Sequence, residues 1–338
     1  MQVKNKLNDI RMILDDPTVS INLFFITREV KEGVAKSAKV IDKYCFKAWN
    51  VDISPDLVKF FITVAKKQVN KVNNSDDYEL EPYSVIGDDL SNKLYTYALN
   101  NALSFSDVVS NQLISGTPKS ITSLTQIKSN LWAYTLKFTT SNNSALIFRK
   151  LSKGKIVTAD PQSITEKVSS IFDSSTSELK VSTQESISFD DKLDCIYINN
   201  EFLVFHKSGF ENIVGMEEEF KEAASGVLEI IKETDLIEGV EHIEEQLKGS
   251  RALLKTLSNI GKKGNHQNFD ANELEKMKSV LHQFEGQELK MTDDGKLLIE
   301  DKNDVGYFIK LLNDYYKQGM VSGKFYGTNS GELLAVNS

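Results

Sequence analysis

Residues 131–157 read LWAYTLKFTTSNNSALIFRKLSKGKIV, and this stretch decides the fold class. Trp132, Tyr134, Leu136 and Phe138 alternate with Ala133, Thr135 and Lys137. A period of two is the mark of a β-strand. Ser141 to Ser144 is a turn rich in Asn and Ser, and Ala145 to Leu151 runs back from it. The pair is a β-hairpin. By alternation Trp132, Tyr134 and Phe138 share one face, which makes them core residues rather than a base-stacking platform.

Strand patterns continue beyond the hairpin at Leu179–Thr183, Ser186–Phe189, Leu193–Ile198 and Phe202–Phe205, with a tight turn expected at Asn199 and Asn200. Upstream, Val3, Leu7, Ile10 and Leu14 mark a helix, while Ser20–Thr27 and Tyr44–Ile53 read as strands. Ser54-Pro55-Asp56 is a helix start, with Ser as N-cap and Pro in the first turn. That helix is expected to reach about Val72. Its inward residues would be Leu57, Phe60, Phe61, Val64 and Val69, and its other face carries Lys59, Lys66, Lys67 and Lys71. Leu90–Leu99 and Ser104–Leu113 read as two short helices. From Phe210 the pattern turns helical, with Phe220, Ala224, Val227 and Ile231 on one stripe and Leu274, Met277, Leu281 and Phe284 on another. A tail of short strands around one helix ends the chain.

This order predicts an α+β fold. The expected division is an N-terminal α/β region over 1–120 and a core over 121–338. Within the core, 121–206 would be antiparallel strands, 207–285 helices and 286–338 a small α+β tail.

The chain has 338 residues, 40 Lys+Arg and 48 Asp+Glu, for a net charge of −8. Its two cysteines, Cys45 and Cys195, lie in strand patterns and read as buried thiols in a reducing compartment. No apolar run approaches the roughly 18–20 residues of a spanning helix. The first residues mix Lys, Asn and Asp with Leu and Ile, unlike a signal peptide. The expected location is the cytoplasm.

The charge is unevenly spread. Residues 217–245 hold eleven acids and only Lys221 and Lys232 as bases. Val108 to Ala159 holds no acid in 52 residues, yet carries Lys119, Lys128, Lys137, Arg149, Lys150, Lys153 and Lys155. A field of one sign attracts a polyanion whatever the total charge. Phosphate contacts need mobile cations, not a fixed catalytic geometry. The leading DNA-binding candidates are therefore Lys137, Arg149, Lys150, Lys153 and Lys155, with Lys66, Lys67 and Lys71 second. The acidic run, opening with Glu217, Glu218, Glu219 and Glu222, reads as a solvated helix face or a protein-docking surface.

Enzymatic signatures are sparse. The glycines form no phosphate loop or dinucleotide fingerprint, and no G-x-S-x-G elbow occurs. His206, His242, His266 and His282 show no metal-ligand spacing, and no cofactor is implied. One pattern resembles a nuclease: Asp294, then a short apolar strand, then Glu300 and Lys302. Carboxylates and a lysine so placed serve Mg²⁺ and an attacking water. The simpler reading is a hairpin with an Asp-Asp-Gly turn.

Three segments carry a family resemblance: 131–157, SISFDDKLDCIYINNEFLVFHKSGFENIVG (186–215) and FIKLLNDYYKQGMVSGKFYG (308–327). Their shared features are the strand ending Phe-Arg-Lys, then Asp194, Ile196, Tyr197, Ile198, Asn200, Phe210 and Glu211. Leu311, Leu312, Asn313 and Asp314, followed by Ser322, Gly323 and Tyr326, complete the set. Their order and spacing resemble the KwaB subunit family of the Kiwa anti-phage defence system. The resemblance implies a cytoplasmic homodimer or larger homo-oligomer paired with a KwaA-like membrane sensor and recruited to the inner face of the membrane. Such a subunit would bind double-stranded DNA with little sequence preference and block phage replication and late expression. It brings no catalytic residue with it. The alternatives are a metal-dependent nuclease using Asp294, Glu300 and Lys302, or an adaptor that binds no DNA.

Overall fold

The computed structural model describes residues 2–33, 44–85, 92–99, 105–151, 156–157, 170–173, 178–181, 185–319 and 323–327. The described chain forms two compact units, one over 1–83 and 89–215, the other over 84–88 and 216–338.

The first unit is built on a nine-stranded mixed sheet. Its strands are β1 (Ser20–Val30), β2 (Tyr44–Val51), β3 (Glu79–Pro82), β4 (Lys93–Ala98), β5 (Lys119–Ser120), β6 (Leu131–Thr139), β7 (Ser144–Lys150), β8 (Cys195–Ile198) and β9 (Glu201–Val204). The spatial order is β3-β4-β9-β8-β7-β6-β1-β2-β5. The expected hairpin is β6–β7, and the Asn199-Asn200 turn joins β8 to β9 with both residues at positive φ. Only the end pairs, β2–β5 and β3–β4, are parallel. The sheet thus takes strands from both sides of residue 120, where the sequence suggested a division.

Both faces of this sheet are covered, which explains why Leu23–Thr27 of β1 is an unbroken buried run and why β6 is almost continuously buried. One face packs on α1 (Gln2–Asp15) and α2 (Pro55–Asn73). There Leu7, Ile10 and Ile13 of α1 and Phe61, Ala65 and Val69 of α2 meet Phe25, Tyr134, Phe138, Ile147 and Ile196. The other face carries an aromatic row. Phe46, Phe105, Phe148, Phe202 and Phe210 follow one another at centroid separations of 5.2–5.9 Å. Phe210 belongs to α3 (Lys207–Val214), and Phe105 precedes a π-helical segment at Val108–Ile114.

In the first unit three local expectations change. Lys93–Ala98 is a strand, not a helix, because it pairs with β9 in register Ala98↔Glu201 to Tyr95↔Val204. Phe60 lies 36% exposed on α2 instead of inward. Trp132 leaves the face of Tyr134. The β1–β6 register jumps from Ile26↔Ala133 to Thr27↔Leu131, a bulge centred on Trp132. A bulge inserts one residue and re-aims its side chain.

The second unit contains α4 (Glu217–Glu233), α5 (Val240–Gly249), α6 (Arg251–Lys263), α7 (Ala271–Glu285) and α8 (Lys302–Leu312). Phe220, Ala224, Val227 and Ile231 are buried, as are Leu274, Met277 and Leu281, so the first stripe faces inward throughout and the second does so up to Phe284, which is half-buried. Asp270 caps α7, and Asp301 with Asp304 forms a capping box on α8. Leu297–Leu298 pairs in parallel with Ile237–Glu238, so the expected tail hairpin is reduced to a Met291–Leu297 bridge. Together the two units are α+β.

Candidate nucleic-acid interface

The site lies at one end of the first unit's sheet, where β7 stops, β8 begins and β9 passes into α3. Arg149, Lys150, Asp190, Lys192, Asp194, His206, Ser208, Gly209 and Asn212 line a cleft of about 510 Å³ there.

Asp194 is its anchor. Its backbone N–H donates to Phe148 O (2.9 Å), and its carbonyl accepts from Phe205 N (2.9 Å) and His206 N (3.0 Å). That fixes a carboxylate only 1% exposed. The carboxylate accepts from Arg149 Nη1 (2.6 Å) and from the Lys150 backbone N–H (2.6 Å). The first turn of α3 presses on it. A Cβ at Gly209 would fall inside the van der Waals shell of the Asp194 carboxylate, so this close approach requires glycine.

Arg149 forks onto a second carboxylate. Nε and Nη2 donate to the two oxygens of Asp190 at 3.0 and 2.7 Å. Burial works against the Arg149 charge, but Asp190 and Asp194 more than restore it and raise its pKa above the ordinary value. His206 Nδ1 lies 2.6 Å from Leu193 O and 3.6 Å from Asp194 Oδ1. Asp194 raises the His206 pKa against the opposing effects of burial and of Arg149. A raised folded pKa adds stability that is complete below the unfolded value of about 6.5 and is lost as pH rises through the folded value. Melting temperatures of the wild type and His206→Gln should therefore converge as pH is raised from 6 to 8. A constant gap would show that the imidazolium contributes nothing.

The loop that bears Asp190 is pinned on both sides. Phe189 packs among Phe25, Phe61 and Tyr134. Asp191 accepts from Lys67 Nζ (2.6 Å), and its carbonyl accepts from Gln68 Nε2 (2.7 Å). Adjacent carboxylates thus bind Arg149 and Lys67, two cations far apart in sequence. Lys192 follows them, exposed, and Lys71 is exposed one turn along α2 from Lys67.

The re-aimed Trp132 packs against Lys150 of the cleft. Its ring is sandwiched between Arg28 and Lys150, 3.4 and 3.5 Å from its centroid, and its Nε1 donates to Ile213 O (3.0 Å). Lys150 Nζ also donates to Trp132 O (2.6 Å).

The sequence candidates therefore divide. Arg149 and Lys150 line the cleft, Lys67 holds its loop through Asp191, and Lys71 is exposed one turn from Lys67 on α2. Lys137 lies elsewhere, donating to Leu113 O (2.7 Å) and Ile114 O (3.3 Å) at the end of the π-helical segment. Lys66 pairs with Asp15 at 2.8 Å. Lys153 and Lys155 lie outside the described residues. In the second unit, Glu222 is exposed and Glu219 half-buried on α4, while the side chains of Glu217 and Glu218 lie outside the described residues. Among the described residues, no group of three or more His, Cys, Asp or Glu is placed to hold a metal ion. Asp294 accepts from Thr292 Oγ1 in its turn, and Glu300 is held by Lys290 at 3.0 Å. Lys302 opens α8. The residues missed as site members are Asp190, Asp191, Lys192, His206 and Gly209. The run Asp190-Asp191-Lys192-Leu193-Asp194, acids gathered downstream of the acid-free window, is the sequence signal for the first three; His206 and Gly209 carry none.

A family model described as Kiwa protein KwaB-like matches residues 128–321. The chain belongs to the KwaB-like family. Membership places it in Kiwa anti-phage defence. Every cleft residue lies inside the matched span, whereas α2, with Lys67 and Lys71, precedes it. No curated protein and no solved structure matches the chain. Among the described residues, no helix is long and apolar enough to cross a membrane.

Proposed function

We propose that this KwaB-like chain is a non-enzymatic effector that holds DNA by its phosphates and so blocks phage replication and late expression. In this reading it acts as a homo-oligomer beside a KwaA-like membrane sensor and is recruited to the inner membrane face by that partner. The DNA surface runs from Lys71 and Lys67 on α2, across Lys192, to Lys150 and His206 at the cleft. One observation carries the reading: Lys67 and Arg149 grip consecutive carboxylates, which joins two basic segments into one surface with Lys192 between them. Such a surface contacts phosphates and reads no base edge, so binding would be sequence-tolerant and salt-sensitive.

The test is fluorescence anisotropy with labelled duplex DNA over a salt series, followed by a gel of the same samples with Mg²⁺. Wild-type protein should bind, weaken steeply with salt and leave the DNA intact. The triple variant Lys67→Glu, Lys71→Glu, Lys192→Glu should lose at least about tenfold in affinity, with a log–log slope shallower by about 2–3. Unchanged affinity with an unchanged melt would remove this surface. Mg²⁺-dependent degradation lost in Glu300→Gln would replace the reading with the nuclease.

A further inference from the structure

We propose that the cleft beside Arg149 is a binding site for a phosphate group, and that the protein keeps it filled with its own Asp190 carboxylate. The two acids on Arg149 are not equivalent. Asp194 is buried and bonded into the backbone, so it is a fixed part of the wall. Asp190 is 35% exposed on an irregular loop and meets the outer edge of the guanidinium through both of its oxygens. A two-oxygen fork on arginine is the geometry that a phosphate adopts as well. Asp190 therefore occupies the seat of a phosphate.

Displacing it breaks the fork and the 3.3 Å bond that the Lys192 backbone N–H donates to Asp190 Oδ1, and turns the side chain about a backbone that stays in place. Phe189 and Asp191 hold the backbone on either side, so the loop stays where it is. Lys192, His206 and Ser208 line the same cleft. Its volume of about 510 Å³ accommodates a phosphate with an attached sugar. Once displaced, Asp190 remains close to the incoming anion and repels it. The site is thereby set for weak occupancy in the wild type and tight occupancy once that charge is gone. The phosphate can come from a DNA backbone or from a free terminal group. The first source rests on the DNA reading above, and the second does not.

The experiment separates them. Thermal melts are recorded with sodium pyrophosphate against sodium chloride at matched ionic strength, and duplex DNA affinity is measured in parallel. The proteins are wild type, Asp190→Asn, Asp190→Ser as a second variant in case the first folds poorly, Asp190→Asn with Arg149→Lys, and Asp52→Asn as a charge-matched control. Asp190→Asn should respond to pyrophosphate at roughly tenfold lower concentration than wild type. It should also bind DNA several-fold more tightly, with a salt slope steeper by about one. Arg149→Lys keeps the charge but removes the fork, so the double variant should lose both gains. Equal gains in Asp52→Asn, gains that survive Arg149→Lys, or no pyrophosphate gain in Asp190→Asn or Asp190→Ser would overturn the site. DNA binding by wild type with no pyrophosphate gain in the Asp190 variants leaves the DNA reading and ends this one. A pyrophosphate gain with no DNA binding by any protein does the reverse.

Discussion

Asp194→Ala is expected to lower the unfolding free energy by about 3–5 kcal/mol, the cost of leaving one half of a buried ion pair alone. The substitution removes the acceptor of Arg149 Nη1 and of the Lys150 backbone N–H, both at 2.6 Å. Arg149, its side chain only 18% exposed, would keep Asp190 alone, and a cavity would open against Gly209. Urea unfolding followed by circular dichroism reads the loss. Its origin is checked by coupling. Gly209→Ala should destabilise the wild type, because its methyl group collides with the carboxylate. It should be nearly harmless in the Asp194→Ala background, where the space is vacant. Additive losses would mean that the two residues do not act on one another, and the account of the cleft wall would fail.

Lys207→Met is expected to cost a similar amount, about 3–5 kcal/mol, for a related reason on the other side of α3. Lys207 is 0% exposed, with its ammonium 5.3 Å from the Tyr83 ring centroid and 5.9 Å from that of Tyr95. One helical turn on, Glu211 is 2% exposed and accepts from the Tyr83 hydroxyl at 3.3 Å. Both charges share one aromatic pocket. Taking away the cation alone leaves a carboxylate in a low-dielectric site. Lys207→Met combined with Glu211→Leu removes both charges and should recover most of the loss. A single variant as stable as wild type would show that the ammonium is not needed there. A double variant worse than the single would show that Glu211 has a separate structural task.

Much of the sheet could be read from local pattern alone. The β6–β7 hairpin, the Asn199-Asn200 turn and the Ser54 cap depend on residues within a few positions of one another, where period and turn chemistry act. Lys93–Ala98 was misread because six residues with apolar side chains at mixed spacing fit either state, and pairing with β9 decided it. The bulge at Trp132 left no mark in the alternation. The site was half visible for another reason. A charge window counts neighbours along the chain, and it picked out Arg149 and Lys150, which line the cleft. It could not show that folding carries Asp190 and Asp194 onto Arg149, or Asp191 onto Lys67, because those pairings are long-range. The same window promoted Lys137, whose ammonium serves the carbonyls that end the π-helical segment.

That π-helical segment has a second consequence, at the border of the sheet. Gln112, within it, receives the Ala48 N–H on Oε1 (2.8 Å) and donates from Nε2 to Phe46 O (2.9 Å). Its side-chain amide completes the ladder where a neighbouring strand would otherwise bind, and the two-residue β5 covers the next stretch at Trp49 and Asn50. An open backbone ladder is a template for templated aggregation and for strand exchange between molecules. Gln112 and β5 together occupy the ladder positions at Phe46, Ala48, Trp49 and Asn50, so this stretch of the border offers a second strand little to pair with.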